Sequence, residues 1–172
     1  MIQDDANDFL LNFCAQNDWS KKRAVLFLDP FGMQVDWKTI EAIAETKAID
    51  LWYLFPISGV ARLLTKDGKM EPEWENRLNL IFGKTDWRDA FYTRGQTIDL
   101  FSEESGLQKT ADYSGIAQYF INRLSSVFAG VAPNPLKLLN SKNIPLFLLC
   151  FACGNEKGKP IALRIAKHIL KG

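Results

Sequence analysis

Along residues 24–32, AVLFLDPFG, five apolar residues run into an acid, a proline, an aromatic and a glycine. Asp29, Pro30 and Phe31 have residue types suited to an amine substrate. A carboxylate and the carbonyl of a proline can accept hydrogen bonds from an exocyclic amine, which leaves the nitrogen lone pair free to attack a methyl group. An aromatic ring can stack on an extruded base. The same four residues also end a strand well, because aspartate bonds nearby N–H groups and proline cannot extend a ladder.

The other residues with chemical potential are sparse. Cys150 and Cys153 form a C-F-A-C spacing, and Cys14 stands apart. On a strand, positions three apart point to opposite faces, and a zinc site takes about four ligands. The single histidine, His168, falls near the end of the last expected helix, where it suits the helix dipole. The cysteines therefore read as core thiols and no metal centre is expected. Arg62, Lys66, Lys69, Lys84, Arg88 and Arg94 could form a nucleic-acid surface, but interspersed acids favour a solvated face.

Composition sets the frame. The 172 residues suit a single domain spanning 1–172, and a chain of this size buries about 70% of its unfolded surface. With 47% hydrophobic and 24% charged residues and a formal net charge of +1, no global basic field exists. The start, MIQDDANDFL, lacks the apolar segment of a signal peptide, and the run at 145–152 is far shorter than the ~20 residues that cross a bilayer. An odd cysteine count without such a signal points to a cytoplasmic protein with reduced thiols and no membrane partner.

The elements that must position the loop follow from periodicity. Residues 4–16 predict a helix with Phe9, Leu10, Phe13 and Cys14 inward. Residues 23–28 predict a strand buried on both faces, since apolar residues run without alternation. Asp36 stands where an N-cap would open a helix over 36–46, and a second buried strand is expected at 50–55, giving a right-handed βαβ unit. Helices follow at 73–82, stopped by Gly83, in a short turn capped by Asp86, and at 114–128, with a loop over 94–113. Strands at 136–139 and 144–152, joined by Asn140-Ser141-Lys142-Asn143, predict an antiparallel hairpin. After a loop at 154–159, Pro160 opens the final helix. Trp52, Trp74 and Trp87 read as core, whereas Trp37 follows the loop closely enough to line a pocket. The fold class expected is α/β: a partial Rossmann sheet, helices on both faces and a C-terminal antiparallel hairpin.

That order resembles the back half of a class I methyltransferase. More specifically, the chain resembles the three-Cys-motif partner (TcmP) family in F27-L28-D29-P30-F31-G32, W37, the run from Ile43 to Trp52, F55-P56, V60-A61-R62-L63-L64, W87, F91-Y92 and the run from Pro145 to Ala152. The resemblance spans roughly residues 5–170. It implies a methyltransferase-like protein without an established reaction, possible action on nucleic acid or another amine, and a three-Cys-motif protein as partner. It implies an active-site role for Asp29, Pro30, Phe31 and Gly32; by position, Ser58 and Arg62 beyond the carboxyl end of the second strand, and Trp37 just after the loop, are the candidate substrate contacts. Asp5 and Asn7 match the family segment after the third sheet strand, on the S-adenosylmethionine side.

A strand and glycine-rich turn for the methionine half of that cofactor do not precede Asp29. The cofactor is therefore expected for a full-length relative and not for this chain alone. Without those strands the first strand becomes an exposed sheet edge, which recruits a second copy or another element. A non-catalytic module docking on its partner and a TIR-like or nucleotide-hydrolase domain are the alternatives. No glycine-rich phosphate loop or paired acid and base supports the last.

Overall fold

The computed structural model describes residues 5–95 and 106–171. Its elements are helix α1 (Ala6–Gln16), strand β1 (Ala24–Leu28), α2 (Trp37–Glu45), β2 (Ile49–Phe55), α3 (Ile57–Leu63), α4 (Pro72–Phe82) and α5 (Trp87–Phe91). These are followed by β3 (Tyr92–Arg94), β4 (Leu107–Lys109), α6 (Tyr113–Ser125), β5 (Gly130–Val131), β6 (Leu136–Leu139), β7 (Pro145–Cys153) and α7 (Lys159–Ile169). The fold is mixed α/β. No helix among the described residues is long and apolar enough to cross a membrane.

β1 and β2 pair in parallel, Leu28 opposite Tyr53, around the crossover helix α2. β7 enters antiparallel on the other side of β2, and its far edge takes β5 and β6. The sheet order is β1-β2-β7-β5, with β6 also on β7. The expected hairpin is present as β6–β7. Asn140 closes it by accepting from the Lys142 and Ile144 N–H groups, and Asn143 sits at φ 57°, a region asparagine tolerates.

β2 alternates strictly: Ile49, Leu51, Tyr53 and Phe55 are buried in the main core, under α1–α6. Phe55 and Phe120 stack with centroids 3.8 Å apart, and Phe120 also meets Trp37 and Tyr53 edge-on. Each fully buried ring of this size contributes about 1.5–3 kcal/mol. The opposite face is a smaller core, with Phe151, Cys153 and Ala132 under α7. Cys150 belongs to the main core and Cys153 to the smaller one, so the C-F-A-C pair does face both ways.

Several expectations are corrected, and Phe13 and Trp74, expected in the core, are exposed. β1 is not buried on both faces: Val25 and Phe27 are exposed, because α7 does not reach over them. Continuous apolarity signals double burial only when a second layer is present. The loop expected over 94–113 contains strand β4, which pairs with β3 in a small ladder, while residues 96–105 lie outside the described set. The helix expected to reach residue 128 ends at Ser125, where the Ser126 hydroxyl bonds the Arg123 carbonyl.

Candidate functional site

The carboxyl ends of β1 and β2 form one edge, as parallel pairing requires. Asp29 follows Leu28 directly, and Pro56 follows Phe55. The loop leaving β1 turns through Gly32 at φ 66°, a conformation that costs an L residue about 1 kcal/mol or more. Met33 then packs its thioether against Gly59 in the first turn of α3. The two loop regions thus touch.

This loop is held from two sides. Asn7 donates its side-chain N–H to the Gln34 carbonyl (2.9 Å) and accepts from the Asp36 N–H (2.9 Å) and the Thr39 hydroxyl (2.8 Å). Arg77 donates to the Met33 carbonyl and the Asp36 carboxylate, both at 3.2 Å. Asp36 caps α2 by position alone, its side chain being committed to Arg77. The fixed loop presents Asp29 and Phe31 outward, the ring 88% exposed, with Pro30 half-buried behind them.

Of the other expected site residues, Ser58 is half-buried in the first turn of α3 and Arg62 is exposed in its last turn. Asp5 is the N-cap of α1, accepting from the Asn7 and Asp8 N–H groups. Asn7 is the tie between α1 and the loop. Trp37 is 2% exposed, with Glu41 accepting its indole N–H and the Arg123 guanidinium 4.1 Å from its ring centroid. The indole therefore belongs to the core, packed by Gly83, Phe120 and Arg123.

Two positioning residues carried no signal in the sequence. Arg77 looks like any helical surface arginine. Lys109 donates to the Ala61 and Leu64 carbonyls at the end of α3, and burial pushes its ammonium below the usual lysine range. It anchors the helix that bears Ser58 and Arg62. Beneath the loop, Tyr53 buries a hydroxyl without a hydrogen-bond partner, and burial raises it well above the ordinary tyrosine range, with lesser contributions from Cys150 and Asp36.

Chemically, the edge offers an exposed carboxylate, a proline carbonyl and a projecting ring. That set can grip a flat, amine-bearing group. Among the described residues no cluster of three or more His, Cys, Asp or Glu could hold a metal ion. A cavity of about 720 Å³ lies at the opposite edge of the sheet, between Lys47 before β2 and Gly154 after β7, with Glu41 and Ser126 in its lining. Volume and chemistry are thus separated. Comparison with family models, curated proteins and solved structures gave no match.

Proposed function

We propose that this chain is the substrate-side half of a methyltransferase-like unit of the three-Cys-motif partner type, acting as a binding module for amine-bearing bases. In this reading Asp29 and the Pro30 carbonyl accept N–H bonds from an exocyclic amine, and Phe31 stacks on its ring. The observation that carries it is the loop itself: an exposed acid and aromatic, fixed by Asn7 and Arg77, at the carboxyl ends of two parallel strands. The order β1-β2-β7-β6, with the last strand inserted antiparallel, supports the relation to the closing strands of class I methyltransferases.

S-adenosylmethionine would be held beyond the outer edge of β1, where the described residues place no strand. The chain alone is therefore expected to give no heat when titrated with S-adenosylmethionine in a calorimeter. A fluorescent single-stranded oligonucleotide rich in adenine and cytosine should bind, and Phe31→Ala should weaken it about tenfold, since stacking on one ring is worth ~1–3 kcal/mol. Asp29→Asn should weaken it less. Binding that ignores both substitutions overturns the assignment.

A second reading is favoured by one feature, the outer edge of β1, which pairs with no strand among the described residues. Such an edge accepts an added strand from another polypeptide, as a docking module for a three-Cys-motif protein requires.

A further inference from the structure

The sheet face beneath α7 is only half covered. Phe151 and Cys153 lie under the helix, packed with Ala162, Leu163, Ala166 and Leu170. The register pairs Trp52 with Phe151 on one side and with Phe27 on the other, and Val25 with Asp50, so Val25, Phe27 and Trp52 share that face with Asp50, whose carboxylate accepts from the Gly154 N–H. Val25 is 70% and Phe27 58% exposed. α7 itself carries Ile161, Ile165 and Ile169 at a spacing of four, each at least half exposed.

At about 100° per residue, this row lies on the flank of α7 away from Leu163 and Leu170. Leu170 lines a cavity with Pro133, Pro135 and Leu136, on the β5–β6 side. The isoleucine row therefore faces β1 and β2. A trough results, floored by Val25, Phe27 and Trp52 and walled by isoleucines. Two strands ~4.8 Å apart make a strip about as wide as one helix, ~10 Å. Its length also fits α7, since five strand residues and eleven helical residues each span ~16 Å.

We propose that α7 of a second copy fills this trough, each copy's helix lying on the other's β1–β2 face about a two-fold axis parallel to the strands. β7 runs against β2, and α7 turns back from it, so α7 runs in the direction of β1. The axis preserves that direction. Lys167, His168 and Lys171 at the end of one α7 then come over Asp29 at the end of the other β1, so opposite charges meet there.

At roughly 200 Å² per large apolar residue, the five exposed side chains offer on the order of 500 Å² per copy. With Trp52 and the charged rim, this reaches the ~1,200 Å² total at which specific interfaces begin. The dimer is accordingly concentration-dependent, with the outer backbone edge of β1 left free.

Sedimentation velocity on the whole chain, from about 1 to about 300 µM, tests it. The mass should rise from 19.5 kDa to twice that value. Phe27→Glu and Ile165→Glu should each weaken association at least tenfold with an unchanged circular dichroism spectrum. Asp29→Lys should weaken it too, and adding Lys167→Glu with Lys171→Glu should restore it. The native thiols are buried, so Ile165→Cys should give a disulfide-linked dimer on mild oxidation. A monomer throughout the range overturns the proposal. So does a dimer indifferent to Phe27 and Ile165, or an Ile165→Cys chain that does not cross-link.

Discussion

Asn7 shows how much one amide can organise. Its two ends satisfy the Gln34 carbonyl, the Asp36 N–H and the hydroxyl of fully buried Thr39. Asn7→Ala strands these groups, and an unsatisfied buried polar group costs ~1–3 kcal/mol. The substitution should lower stability by about 2–3 kcal/mol in a urea titration. It should also speed amide exchange at Met33–Asp36 while leaving β7 protected. The resemblance pointed to Asn7 as a cofactor contact; in the structure its bonds hold the loop that follows β1. No spacing rule announces a partner 32 positions away, as Thr39 is. Asp29 and Phe31 were legible because an acid and proline after an apolar run mark a strand end. Trp37 was not, since sequence proximity to a loop says nothing of which side of it an indole occupies.

At the scale of elements, the contrast between two glycines is instructive. Gly83 ends α4 at φ 67°, and a Cβ there would stand 2.1 Å from Cδ1 of Trp37. Gly32 has nearly the same φ, 66°, but nothing within 4 Å of its would-be Cβ. Gly32→Ala should therefore cost about 1 kcal/mol of left-handed strain. Gly83→Ala should cost about 2–4 kcal/mol, because overpacking adds ~1–3. Thermal denaturation of the pair would separate the two effects, and near-equal losses would refute the crowding argument. The stop at Gly83 could be read from its position after a periodic run. The reason it must be glycine could not, because Trp37 arrives from α2, which precedes Gly83 by some forty residues. β1 failed in the opposite sense, with apolar residues kept on a face that no helix among the described residues covers.

Across the whole molecule, the thiols tie stability to alkaline pH. Burial pushes Cys153 up to about 11 from the ordinary 9.0, helped by Asp50 and Glu156 nearby, and raises Cys150 further. Near pH 9 and above, the unfolded chain releases protons that the folded chain retains. Their contribution is thus complete below pH 9 and is lost as pH rises toward 11. Urea midpoints measured from pH 8 to about 10.5 should fall, and less steeply in Cys153→Ala. A flat profile would contradict the burial argument. The βαβ unit and the hairpin were legible in the sequence because local periodicity and turn residues encode them. The two-residue strand β5 was not, as Gly130–Val131 is too short to carry a pattern.

The strand that joins the sheet is also its latest in the sequence. β7 holds β2 on one side and β5 and β6 on the other, so residues 145–153 follow every strand they bind together. During synthesis, β1 and β2 emerge long before that keystone, with the inner edge of β2 open. The ribosome must therefore deliver most of the chain before the sheet can close, and the nascent polypeptide is a natural client for chaperones that shield unpaired edges.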